Sequence, residues 1–134
     1  MPAISVTGSE EWLGEWTFSL SMGSMTDEPI FWADLLAKGG HRQVGVLAEQ
    51  SLVGQSYLAH FRDACRRKGI AIVAEASIPQ TAQDVGRAVR TLHEAGAEAL
   101  VHVGFGFGIV FVNPVLRELD WDPPRFLGTA FQNA

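Results

Sequence analysis

Leu100–Asn113 reads LVHVGFGFGIVFVN, a short apolar run that breaks into Gly104-Phe105-Gly106-Phe107-Gly108. The run before the glycines has the length and composition of a buried strand. Alternating glycines directly after such a strand mean a sharp backbone turn or a close approach by something else. A phosphate cradle is the first reading, but the dinucleotide fingerprint G-x-G-x-x-G needs glycine at 109, where Ile109 stands. The residues between the glycines are large, flat and apolar, which points to a loop that packs on an organic ligand.

Working outward, strands and helices alternate. Toward the N-terminus, a helix with the stripe Val85, Ala88, Val89, Leu92 and Ala95 precedes the Ala99–Val103 strand, opened by Thr81 with Asp84 and stopped by Gly96. Before it come a second apolar run, Ile70–Ala74, and a helix with apolar residues at 53, 57, 61, 64 and 65. Arg66-Arg67-Lys68 fill the last turn of that helix and Gly69 ends it. Gln43–Ala48 reads as a strand buried on both faces. The helix ahead of it is capped by Thr26 or Asp27, carries Glu28 and Pro29 in its first turn, and stops at Gly39-Gly40. Toward the C-terminus, a helix is expected over about 108–119, or restarting at Asn113-Pro114. The rigid turn Asp122-Pro123-Pro124 and a short strand at Arg125–Thr129 follow. Two further β-like runs, Ala3–Val6 and Trp16–Leu20, lie near the N-terminus.

Strict alternation from residue 26 argues for an α/β fold, a three-layer αβα doubly wound and mainly parallel sheet of flavodoxin-like type. Numbering the strands at 43–48, 70–74, 99–103 and 125–129 from one to four, the common order is 2-1-3-4, and the winding reverses between the first and third. The loops Glu49–Gly54 and Gly104–Gly108 then flank a crevice and are the expected ligand contacts.

Composition narrows the function. A single domain of 134 residues with 47% apolar and 19% charged residues carries a formal net charge of −5, which gives no pull toward nucleic acid. No apolar run is long enough to span a membrane, and the N-terminus lacks the pattern of a signal peptide. The chain is therefore either cytoplasmic or a mature or excised part of something larger. His41, His60, His93, His102 and Cys65 show no metal-ligand spacing. His102 and Cys65 read as packed structural residues, and the four tryptophans as packing residues. No cofactor or metal is called for, and no nucleophile elbow, Walker loop or zinc-protease motif is present. Glu49, at a strand tip, is placed where a ligand-binding acid would stand; its plain alternative is a solvated loop residue.

The succession PAISV…WTFSL, FWADLLAKGG, VGVLAEQSLVG, GIAIVAEASIP, AEALVHVGFG and WDPPRFLGTAF resembles the second lobe of the type I periplasmic solute-binding receptors. This is the branched-chain amino-acid and amide-binding group that serves ABC importers. The resemblance implies that residues 1–24 are a hinge-proximal segment from the end of a first lobe. Residues 25–134 are then the ligand-binding second lobe, incomplete at its C-terminal end. It implies an extracytoplasmic, periplasmic or cell-surface parent protein. It also implies a small-molecule solute (amino acid, amide or small organic acid), a missing first lobe and a membrane permease as partners, and no catalysis.

The ligand-binding residues so implied are Glu49, Gln50, Ser51 and Val53 in the first loop, Phe105, Gly106 and Phe107 in the second, and Ala130 and Phe131 after the last strand. Two departures stand out. The family's aromatic before Gly54 is Val53 here, and the glutamate that holds an amino acid's ammonium is Ala130. An α-amino acid then needs another carboxylate, Glu49 in this reading, whereas a less polar solute suits the phenylalanine loop. The alternatives are a cytoplasmic ligand-sensing regulator of the same fold and, third, a flavodoxin-like enzyme.

Overall fold

A computed structural model describes residues 3–5, 14–19, 24–79, 85–104 and 110–128. Two short strands, β1 (Ala3–Ser5) and β2 (Thr17–Ser19), pair in parallel by themselves. The main body runs α1 (Asp27–Lys38), β3 (Gln43–Glu49), α2 (Leu52–Lys68), β4 (Ala71–Ile78), α3 (Val85–Glu94), β5 (Ala99–Val103), α4 (Val112–Glu118) and β6 (Arg125–Leu127). The four strands β3 to β6 form one parallel sheet in the order β4-β3-β5-β6. This is the doubly wound order expected from the sequence.

The sheet is covered on both faces. Val44 and Val46 of β3 and Ala99, Val101 and Val103 of β5 point to one side, where Trp32, Leu36, Tyr57 and Phe61 of α1 and α2 complete a core. Leu47 and Leu100 point to the other, against Val85, Val89 and Leu92 of α3 and Val112 and Leu116 of α4. A central parallel strand with helices on both faces has no solvated side, so β3 and β5 are apolar almost throughout. Cys65 is buried in the first core, as the helical stripe predicted.

Four local expectations change. The second strand is not the short buried run Ile70–Ala74 but an edge strand that continues to Ile78, with much of its length partly exposed. Among the described residues it pairs only with β3, and it carries an extra residue opposite Val44/Gly45. Its later half was hidden by Glu75 and Ser77, polar residues that an edge tolerates. Glu75 is held by Arg62 of α2, whose Nε donates to Oε1 at 2.7 Å.

At α1, Thr26 is already helical and makes no side-chain cap. Ser24 does the work, its hydroxyl accepting the N–H groups of Thr26 (3.2 Å) and Asp27 (3.1 Å). The last helix begins at Val112, one residue from the alternative restart at Asn113-Pro114 and not at 108, with Pro114 in its first turn, where the missing N–H costs nothing. The last strand is described over Arg125–Leu127, and Thr129 lies outside the described residues. So do the opening residues 81–84 proposed for α3.

Candidate functional site

Helices of a parallel α/β sheet run against the strands, so the N-termini of α1 and α2 and the C-termini of the strands share one end of the molecule. The winding reverses between β3 and β5, and in open α/β sheets the crevice beyond the strand ends at such a reversal is where ligands bind. Pairing of Ala48 with Val103 brings the two strand tips level, and Gly104 comes to lie against Glu49.

Two glycines make this junction possible. A β-carbon on Gly104 would sit 2.6 Å from Glu49 Oε2, and the residue has φ +138°, open in practice only to glycine. A β-carbon on Gly54, in the first turn of α2, would fall inside 3.0 Å of the Glu49 carbonyl oxygen. That carbonyl also accepts the Ser51 N–H at 2.8 Å. Glu49 is thus wedged between both loops and is 3% exposed, the opposite of a solvated loop acid. His102, 3% exposed, pairs with Leu47 and so lies on the same face of the sheet as Glu49, two residues below it. Its Nε2 has no hydrogen-bond partner among the described residues. Burial pulls the imidazole down to about 4, against the Glu49 carboxylate, which works the other way.

The other predicted residues are dispersed over the same end. Gln50 is exposed, its N–H given to the Ile78 carbonyl at 2.9 Å. Ser51 is the extended N-cap of α2, its hydroxyl accepting the Gly54 N–H at 3.0 Å. Val53 is half-buried against the α1/α2 core. Phe105, Gly106, Phe107, Ala130 and Phe131 lie outside the described residues. The chain leaves for them from Gly104 and Gly128, both at the crevice end. Two hollows of about 320 and 500 Å³ open on either side of Gln50, Glu75 and Ser77, at the C-terminal half of β4. Among the described residues no cluster of His, Cys, Asp and Glu could hold a metal.

One further residue stands at this end. Glu28 is an acid in the first turn of α1, favourable for the helix dipole. Its spacing of four and eight from Trp32 and Leu36 puts it on the inward face of α1, a signal available in the sequence. Glu28 Oε2 accepts the Tyr57 hydroxyl of α2 at 3.0 Å, and a β-carbon on Gly128 would lie 3.2 Å from the same oxygen. Trp32 stacks on Tyr57 with ring centroids 5.6 Å apart and the planes 16° from parallel. The half-buried carboxylate therefore stands between α1, α2 and the end of β6, on an aromatic floor.

The sequence pattern of the periplasmic binding proteins matches residues 2–134. The chain belongs to that family. No curated protein matches the sequence. Among solved structures, a branched-chain amino-acid ABC transporter protein from Thermus thermophilus with bound valine superposes with a TM-score of 0.82 at 17% identity, over 94% of this chain and 34% of its own. An ABC transporter substrate-binding protein from Desulfitobacterium hafniense in complex with Leu gives 0.70 at 19%, over 87% and 35%. A type 1 periplasmic binding protein from Bordetella pertussis gives 0.73 at 22%, over 88% and 33%. The fold is that of a type I lobe, and the chain spans about a third of the length of these structures.

Proposed function

We propose that this chain is the second lobe of the substrate-binding receptor of an ABC importer, and that it closes with a first lobe on a small organic solute. Residues 1–24 form the hinge-proximal segment and 25–134 the ligand-binding lobe. The parent protein is extracytoplasmic and delivers its solute to a membrane permease; no reaction is catalysed. The observation that carries this reading is the reversal of winding between β3 and β5 in a chain of the periplasmic binding protein family. Such a reversal is where ligand sites lie in open α/β sheets, which supports a solute site between the ends of these strands.

In this reading Gln50, Ser51 and Val53 edge one wall and Phe105, Gly106 and Phe107 form the other. Ala130 and Phe131 contribute further ligand contacts, and Glu49 joins the ends of β3 and β5 from beneath. The solute is an amino acid, an amide or a small organic acid; valine and leucine occupy two of the structural neighbours.

A thermal-shift screen of these classes on the full-length protein, followed by calorimetry of the hits, tests the proposal. Phe107→Ala should weaken the best hit by about 10- to 100-fold, the worth of one buried aromatic side chain, without loss of fold. Unchanged affinity removes Phe107 from the site, and a screen with no binder removes the receptor reading.

A further inference from the structure

The free edge of the sheet at β4 carries a short window of unused main chain. Ala71 gives its N–H to the Arg42 carbonyl at 2.8 Å, and the Ile78 carbonyl takes the Gln50 N–H at 2.9 Å, so both residues bond toward β3. Along a parallel strand the main-chain groups of successive residues point alternately to one side and the other. Counting back from Ile78, Ala76 also bonds toward β3, while Glu75 and Ser77 turn their N–H and C=O groups away from it.

Among the described residues no strand takes up that side of β4. The window is short because both its ends are blocked. The extra residue opposite Val44/Gly45 interrupts the ladder at one end, and Pro79, the next outward residue, has no N–H to give at the other. The hollows of about 320 Å³ on the α2 side and 500 Å³ on the α3 side leave room beside the window on both faces, so a strand can reach the main chain.

We infer that this window pairs antiparallel with the same window of a second copy of this chain, about a two-fold axis at Ala76. Three arguments single out that occupant and that register. First, with the axis at Ala76, Glu75 of each copy faces Ser77 of the other, and every outward N–H of both residues meets an outward carbonyl. An axis at Glu75 would set two carboxylates opposite each other and run the ladder into the bulge. An axis at Ser77 would set Glu75 against Pro79, which supplies no N–H.

Second, Arg62 of α2 already holds the Glu75 carboxylate, Nε to Oε1 at 2.7 Å. The edge therefore brings a neutral pair to the contact, in a chain whose net charge of −5 otherwise opposes self-association. Third, the residue on the axis is small. Ala76 faces the α3 side, where two copies of a larger side chain would collide across the axis. A longer strand from another protein would gain no further bonds, because the window ends at the bulge and at Pro79. Four strands from each copy then make one continuous sheet, joined antiparallel through β4 by an isologous contact.

The contact is small, so the dimer is weak, with a Kd on the order of 100 μM. Sedimentation velocity of the full-length protein, from tenfold below that value to tenfold above it, should show monomer giving way to dimer. Ser77→Pro removes an N–H that β3 does not use and that the two-fold axis counts twice. It should weaken the dimer by about 10- to 100-fold, with the melting temperature within about 3 °C of wild type. Ala76→Cys should give a disulfide-linked dimer under copper–phenanthroline oxidation, because α-carbons about 4.5 Å apart across the axis are within disulfide reach. Ala71→Cys, exposed on the same strand but far from the axis, should stay unlinked, and Cys65 is buried. A protein that stays monomeric over the whole range overturns the inference. So does a dimer that Ser77→Pro leaves unmoved, or one in which Ala76→Cys does not link. A mixed disulfide from Ala76→Cys to a different protein, in place of the linked dimer, overturns it as well. The solute-receptor reading stands or falls separately, on the solute screen.

Discussion

Gly54→Ala separates a packing argument from a propensity argument, because the two give opposite signs. Alanine in place of glycine within a helix ordinarily stabilises by about 1 kcal/mol. At position 54 the new methyl would fall inside 3.0 Å of the Glu49 carbonyl oxygen, with the Glu49 carbonyl carbon at 3.0 Å and its Cβ at 3.2 Å. To restore ordinary contact, α2 must retreat from β3 by about an ångström. Backbone, unlike the tip of a flexible side chain, yields poorly, and overpacking of this kind costs about 1–3 kcal/mol. The same retreat lengthens the Ser51 cap on the Gly54 N–H, now 3.0 Å, which is worth about 1 kcal/mol.

The net expectation is a loss of about 1–3 kcal/mol, or roughly 4–10 °C in melting temperature for a chain of this length. Gly86→Ala in α3 is the matched control. Its methyl would meet the movable Arg90 guanidinium at 3.1 Å and Val115 at 3.8 Å. It should be neutral or stabilising by up to about 1 kcal/mol. Both variants are read by thermal and urea unfolding followed by circular dichroism. A Gly54→Ala protein as stable as Gly86→Ala would refute the claim that α2 is seated directly on the Glu49 carbonyl.

Three further outcomes are expected. His102 is held neutral in the fold at about 4, below its free value of 6.5. The unfolded chain therefore takes up the proton first, and stability present above pH 6.5 is lost as the pH falls toward 4. The loss amounts to about 3 kcal/mol at 1.36 kcal/mol per pH unit; urea titrations of His102→Phe should lack that part of the slope. Cys65, buried with its thiol pushed up to about 12, should resist iodoacetamide in the native protein at pH 8 and react on unfolding, as followed by mass spectrometry. Ser51→Ala should cost about 1 kcal/mol in urea unfolding through loss of the α2 cap.

The sheet was legible because its central strands are covered on both faces. VGVLA in β3 and ALVHV in β5 had to be apolar throughout, and glycines at 39, 40, 69 and 96 punctuate the helices between strands. Even the strand order followed from the alternation. The edge was legible only in part, since Glu75 and Ser77 can face water from β4 and so break the apolar run on which the reading depends. Caps failed by a few residues, because Ser24 serves α1 from outside the helix, where Thr26 and Asp27 were the nearer choices.

The carboxylates show a different boundary. Position along a strand said that Glu49 stands at the crevice end, and it does; nothing in the residue order said that Gly54 and Gly104 would close on it from two loops. That knowledge needs the register of β3 with β5 and the seat of α2, both set by residues far apart in sequence. Glu28 is the reverse case. Its periodicity with Trp32 and Leu36 is visible in the sequence, but an acid in a first turn has a sufficient local explanation that does not call for an inward face. Long-range structure decides between the two explanations, because only the folded chain brings the Tyr57 hydroxyl and the Gly128 backbone to the same oxygen. A charge that three elements approach from three directions is held in place by the tertiary fold, and the local helix end alone does not account for it.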